Sequence, residues 1–196
     1  MDEVGRGAPA GPVHVGLVVL DPTTTGRPPS GVRDSKLLTA LARRRLVPGI
    51  EAWAAAYAVG SASPAEVDAL GVNDALRLAG LRALGQIDEP PDVVILDGSY
   101  DWLSPGVPTE VGTAVANRGT DVVTRVKADL SCTSVAAASI LAKVARDTVM
   151  VGLAAEYPGY GWEANKGYST EAHLTAMRTL GLTPHHRHSW RLPVPD

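Results

Sequence analysis

The run PVHVGLVVL, Pro12–Leu20, constrains the fold more than any other stretch of the chain. It is almost wholly apolar and rich in β-branched residues, the pattern of a buried strand. Such a strand needs partners and a cover. YAVGSAS reads as a short strand, PDVVILDG (Pro91–Gly98) as a second buried one, and DVVTRVKAD (Asp121–Asp129) as another. Helical runs lie between and after them. TALARRRLVPGIEAWAAA (Thr39–Ala56) carries Thr39 as its N-cap and predicts a break at Pro48. SPAEVDAL has Ser63 as cap with Pro64 at the first position, and VNDALRLAGLRALGQI follows. The longest run spans Ser131–Tyr157, and a last helix begins with Ser169 and Glu171 and stops at Gly181. DPTTTGRPPSG and the segment from Gly98 to about Arg118 read as loops. This order predicts an α/β domain with helices on a mixed sheet, over residues 1–150, and a small helical C-terminal part over 151–196.

With 196 residues the chain can bury a core without disulfides or structural metal. Its single cysteine, Cys132, excludes an intramolecular disulfide and a cysteine zinc site. No stretch is long and apolar enough to span a membrane, and the charged start is unlike a signal peptide, so a cytoplasmic protein is expected. The net charge of −3 gives no global pull towards nucleic acid, so any such binding needs a local basic face.

Acids at strand ends carry the strongest functional signal, because ligands of α/β sheets bind beyond those ends. Asp2 and Glu3 stand before a turn, Asp97 closes VVILDG, and Asp129 closes VVTRVKAD. Each alone reads equally as a turn residue, and Asp129 as a helix cap. Converging, they would repel one another unless a hard divalent cation neutralised them. Oxygen ligands without Cys or His nearby favour Mg²⁺ or Mn²⁺ over Zn²⁺. Asp2 and Glu3 are neighbours, and neighbours in a regular strand face opposite ways. Gly5 permits the bend that would bring them to one site.

Several shorter features suit nucleic acid. Gly5-Arg6-Gly7 offers unobstructed backbone amides and one guanidinium, though a plain tight turn fits as well. Ser35 and Lys36 add a hydroxyl and an ammonium in a loop. Ser139, Lys143 and Asp147 share one helix face, with a Lys143–Asp147 ion pair as the simplest reading. In NKGYST, Lys166 can meet phosphate and Tyr168 can stack on a base or sugar, or pack into the small domain. HHRHSW lacks metal-ligand spacing and reads as a basic surface segment.

Together these motifs resemble the ribonuclease HII family, the type 2 ribonucleases H. DEVGRGAPAGPV, DSKLL, VVILDG, VAAASILAKVARD, YPGYGW, then ANKGYST with His173 three residues beyond it, and HRHSW stand in that family's order and spacing across essentially the whole chain. The resemblance implies an RNase H-like mixed five-stranded sheet flanked by helices, with a helical C-terminal extension. It implies a metal-dependent endonuclease, with Asp2, Glu3, Asp97 and Asp129 as the acidic site for Mg²⁺ or Mn²⁺, with two ions expected. The implied substrates are RNA/DNA hybrids and single ribonucleotides embedded in duplex DNA. Cleavage falls 5′ of the ribonucleotide and leaves 3′-hydroxyl and 5′-phosphate ends. Gly5, Arg6 and Gly7 match the turn that reads the ribose 2′-hydroxyl, and Tyr168 matches the tyrosine that stacks on the sugar at the junction. Lys36, Lys143, Arg146 and Lys166 are candidate phosphate contacts, with Ser35 and Ser139 beside them. A monomer is expected.

One departure bears on activity. Family members carry further residues before the Asp-Glu pair, whereas here only Met1 precedes Asp2. Pairing of the first strand and placement of Asp2 are therefore the features to look for. The alternatives are a catalytically impaired nucleic-acid-binding protein of the same fold, and another phosphoryl-transfer nuclease of RNase H-like architecture.

Overall fold

A computed structural model of the chain describes residues 1–22, 24, 26–104 and 119–193. Most of the loop expected between Gly98 and Arg118, and the end of the RLPVPD tail, lie outside them. Strands β1 (Asp2–Val4), β2 (Val13–Val19) and β3 (Ala56–Ala62) form an antiparallel sheet with β2 central. Asp2 stands opposite Gly16, and Val15 opposite Gly60. Strands β4 (Val93–Asp97) and β5 (Asp121–Arg125) pair in parallel.

Met1 joins the two sheets. Its nitrogen donates to Ile95 O at 2.7 Å, and Asp97 N donates to Met1 O at 3.2 Å. That alternation is the pattern of a parallel ladder. The strands thus run β3-β2-β1-β4-β5, a mixed sheet of five among the described residues. Asp2 is thereby ordered, paired with Gly16 of β2 and preceded by Met1, which pairs with β4.

Helix α1 (Ala40–Trp53) follows a single 3-10 turn, Ser35–Leu37, and begins where Thr39 Oγ1 accepts from Ala42 N. The expected break at Pro48 does not occur. Pro48 lies on the exposed side of α1, so the carbonyl it leaves unpaired faces water, where it can still be satisfied. Helix α2 (Pro64–Leu70) carries a reciprocal cap between Ser63 and Glu66, and α3 (Val72–Leu84) follows directly.

After β5 the structure departs from the expected single strand to Asp129. The strand ends at Arg125, and Lys127 takes a left-handed conformation, φ 57°. A short helix α4 (Ala128–Ser131) then holds Asp129, and extended Cys132 separates it from α5 (Thr133–Glu156). The strand-like pattern VVTRVKAD therefore hides a reversal that only the local backbone shows. Helices α6 (Trp162–Asn165) and α7 (Glu171–Leu180) end the chain's regular structure, and Thr170, not Ser169, caps α7 by accepting from His173 N.

The sheet is covered on both faces. Val13, Val15 and Leu17 of β2 pack with α2 and α3, while Val18 packs with α1 and α5. Two glycines let the helices approach: a Cβ on Gly16 would strike the Ala138 carbonyl of α5, and one on Gly60 the backbone of α3 at Ala79 and Ala83. A third apolar cluster (Ala10, Met150, Tyr160, Trp162 and Ala176) seats α6 and α7 on the far half of α5. Residue 150 lies inside α5, and the C-terminal helices pack on the far half of that helix.

Candidate active site

The four acids gather at one end of the central strands. Asp2 is buried on β1 and accepts from Glu3 N at 2.8 Å. Burial, then the charges of Glu3 and Asp97, push its pKa up to about 7. Glu3 is raised by burial and by Asp97, against the pull of Arg6, whose guanidinium lies 3.6 Å away. Asp97, at the end of β4, accepts from Ala128 N at 2.7 Å, which ties the strand end to α4. Asp129 is buried in α4, and its pKa is raised by burial and by Asp97 and Asp34. Its carboxylate meets Lys36 Nζ at 3.5 Å.

The neighbouring pair Asp2 and Glu3 therefore both feel Asp97, the convergence that strict strand alternation argued against. As the side chains stand, no three His, Cys, Asp or Glu groups among the described residues close on a single point. Asp97 is engaged by Ala128, and Asp129 by Lys36. The donor set is nonetheless all carboxylate oxygen, and Glu3 Oε2 is buried without a partner. Burial and a neighbouring carboxylate raise Asp2, Glu3 and Asp129, the crowding of negative charge that a hard divalent cation relieves. These residues fit Mg²⁺ or Mn²⁺ by chemistry.

The Asp34–Lys36 loop is pinned beside this site. Ser139 Oγ donates to Ser35 Oγ at 2.6 Å, and Arg43 of α1 donates to Ser35 O and Leu38 O. Burial lowers the pKa of Lys36, but Asp34, Asp129 and Asp2 outweigh it and hold the ammonium above its ordinary value. Arg43 also meets Asp147 at 3.4 Å, and the expected Lys143–Asp147 ion pair is present at 2.5 Å. Arg43 was not foreseen, because nothing within Arg43-Arg44-Arg45 distinguishes one arginine from the next.

The Gly5–Gly7 turn and the Lys166–Tyr168 loop are neighbours. Gly5 has φ 86°, and a Cβ there would come within 2.8 Å of Pro12 O and Arg146 Cδ. Arg6 is exposed and donates to Asn73 at 2.9 Å. Lys166 is partly exposed, and its ammonium reaches Glu163 O. The Tyr168 ring lies over two cations, 5.1 Å from the Arg146 guanidinium and 5.7 Å from Lys143 Nζ.

Two expectations need correcting. Arg146 is fully buried, and its guanidinium donates to Pro12 O, Lys166 O and Ala10 O, so it braces these loops from below and is not open to phosphate. HHRHSW is not a basic surface segment, because His186 and Arg187 are fully buried. Thr183 N donates to His186 Nδ1 at 3.0 Å, and Trp162 Nε1 donates to His173 Nε2 at 3.0 Å. His186 Nε2 stands 3.2 Å from His173 Nε2, and His173 Nδ1 lies 3.0 Å from Tyr168 O. Both rings are therefore neutral, with His186 donating to His173 and His173 donating to the Tyr168 carbonyl. A run of histidines and arginine looks polar in sequence; the partners that let it be buried lie far from it along the chain.

A mixed five-stranded sheet, helices on both faces and carboxylates at its strand ends define a nuclease of the ribonuclease H-like class. A family model for ribonuclease HII matches residues 1–192, and the chain belongs to that family. It is 47% identical over 190 residues to the ribonuclease HII of Streptomyces coelicolor, covering 97% of this chain and 75% of that one. With the enzyme of Roseobacter denitrificans it shares 43% over 191 residues, covering 97% and 88%.

Among solved structures, the ribonuclease H2 of Pyrococcus horikoshii OT3 superposes with a TM-score of 0.76 at 26% identity, over 98% of this chain and 92% of that one. The ribonuclease HII of Archaeoglobus fulgidus, solved in complex with PCNA, gives 0.72 at 26%, over 97% and 91%. Bst-RNase HIII, solved with Mn²⁺, shares the fold at 0.64 and 21%, over 97% and 65%. The chain is thus an endoribonuclease, a hydrolase of nucleic acid, from a family dependent on divalent metal.

Proposed function

We propose that this enzyme cuts the RNA strand of RNA/DNA hybrids and single ribonucleotides embedded in duplex DNA, as in ribonucleotide excision repair. Cleavage falls on the 5′ side of the ribonucleotide and leaves 3′-hydroxyl and 5′-phosphate ends. The observation that carries the reading is the placement of the Gly5–Gly7 turn immediately after the Asp2-Glu3 pair, with Arg6 and Gly7 exposed. A ribose held against that turn brings its neighbouring phosphate towards the carboxylates, and the 2′-hydroxyl is what separates RNA from DNA.

In this reading Asp2, Glu3, Asp97 and Asp129 hold the metal. A divalent cation held there would supply a lowered pKa for the attacking water and charge stabilisation for the departing 3′-oxygen, a division of labour suited to two ions. Lys36 stands beside Asp129 and meets the phosphate, Lys143 and Lys166 extend the basic side of the site, and Tyr168 stacks on the sugar at the junction. Ser35 and Ser139 fix the Lys36 loop against α5.

The test is a DNA duplex holding one ribonucleotide, incubated with Mg²⁺ or Mn²⁺ beside an all-DNA control. Cleavage at the ribonucleotide alone supports the reading, and binding without cleavage would make the chain an impaired relative. Cutting of the control would turn the assignment towards a DNA nuclease. Asp97→Asn should abolish cleavage with the melting temperature retained; wild-type rate in that variant would remove Asp97 from the site.

A further inference from the structure

The amides that would read the ribose belong to peptide groups whose other ends are held from inside the protein. Arg187 is fully buried, and its guanidinium donates to Gly5 O at 2.6 Å, to Arg6 O at 2.7 Å and to Gly11 O at 3.2 Å. In a planar trans peptide the carbonyl and the following N–H point in opposite directions. A Gly5 carbonyl turned inward onto Arg187 therefore turns the Arg6 N–H outward, and an inward Arg6 carbonyl does the same for the Gly7 N–H. Among the described residues neither amide has an acceptor, and both residues are exposed.

We propose that Arg187 is a positioning residue for ribonucleotide recognition, fixing the peptide orientation that presents the Arg6 and Gly7 amides to a 2′-hydroxyl. The proposal rests on the reading of the Gly5–Gly7 turn given above. The guanidinium is itself positioned by stacking on Trp190, 4.6 Å from the ring centroid, and the adjoining backbone closes the bracket through Arg187 N to Pro9 O at 2.9 Å. Arg146 completes the support from the other side through Ala10 O and Pro12 O, and its third bond, to Lys166 O, ties the same bracket to the loop of Tyr168. A lysine at 187 keeps the charge but not the planar fork that reaches separate carbonyls. Gly5 O keeps a second donor in Ala8 N at 3.2 Å, so the carbonyl released is that of Arg6, whose peptide can then flip and present an oxygen where the ribose needs a donor.

The experiment compares binding to two duplexes that differ by a single 2′-hydroxyl, by fluorescence anisotropy in Ca²⁺ to suppress cleavage. Wild type should prefer the ribonucleotide duplex. Arg187→Lys should lose about tenfold of that preference, the worth of one or two neutral hydrogen bonds, with affinity for the all-DNA duplex unchanged. A purely structural role would weaken both duplexes together and leave the ratio intact, and that result would overturn the proposal. A wild-type chain without preference would overturn the reading of the turn, and this inference with it. If Arg187→Lys fails to fold, the wild-type structure on the ribonucleotide duplex decides. Arg6 and Gly7 amides on the 2′-oxygen, with Arg187 still on both carbonyls, support the proposal; a carbonyl turned to the 2′-hydroxyl overturns it.

Discussion

Gly16→Ala tests whether the contact that builds the fold also builds the site. A methyl at Gly16 would place its carbon 2.9 Å from the Ala138 carbonyl carbon, and closer still to the oxygen. Carbon atoms rest at about 3.5–4.0 Å, so α5 and β2 would have to part by about 1 Å. Neither side is a flexible side chain, and overpacking of this kind costs about 1–3 kcal/mol. In a chain of this length each kcal/mol lowers the melting temperature by about 2–4 °C. Gly16 lies opposite Asp2, and Ala138 precedes Ser139, so the separation falls at the end of the sheet where the proposed metal-binding acids gather. The expected outcome is a drop in melting temperature of about 2–12 °C and a fall in kcat well below the melt. Gly60→Ala is the control. Its methyl would meet the Ala83 nitrogen at 2.6 Å on the opposite face, so it should destabilise comparably while leaving kcat nearly intact. Differential scanning calorimetry and single-ribonucleotide cleavage at 25 °C read both. Native melting temperature and rate in Gly16→Ala would refute the close seating of α5 on β2, and equal loss of kcat in both variants would refute the link to the site.

Further outcomes follow from the same geometry. Tyr168→Ala should reduce cleavage at single ribonucleotides while sparing long RNA/DNA hybrids, measured as the ratio of kcat/KM for the two substrates; an unchanged ratio would remove the tyrosine from the junction. Burial, then His173, holds the pKa of His186 down at about 4, against an ordinary 6.5. A base depressed in the folded state contributes stability above pH 6.5 that is lost as pH falls towards 4. Asp2, raised to about 7, acts in the opposite sense in metal-free protein, so the comparison is urea unfolding of wild type against His186→Asn. The wild type should lose more stability between pH 7 and pH 4, and parallel curves would contradict the neutral His173–His186 pair. Increasing salt should weaken substrate binding through Lys36, Lys143 and Lys166, and Lys36→Ala should reduce the slope of log Kd against log salt by about one.

Much of the fold was legible in the sequence because its signals are local. Apolar runs marked β2 and β4, Thr39 and Ser63 marked helix starts, and Asp97 marked a strand end. The local pattern misled where one residue's backbone set the path. Lys127 in a left-handed turn moved Asp129 from a strand end into α4, and Pro48 was tolerated because its side of α1 faces water.

The sequence by itself determined the chemical inventory: carboxylates, a glycine-flanked turn, lysines and a tyrosine at recognisable spacings, each fixed by covalent order. Tertiary structure decided what each would do. Arg146 and Arg187 carry the same guanidinium as exposed Arg6, yet both are enclosed: Arg146 donates through Nε and both terminal nitrogens, and Arg187 through its two terminal nitrogens, to backbone carbonyls from distant loops. Which arginine meets water and which braces a turn depends on how carbonyls far apart in the chain converge, and hydrogen-bond partners of that separation leave no trace in local pattern.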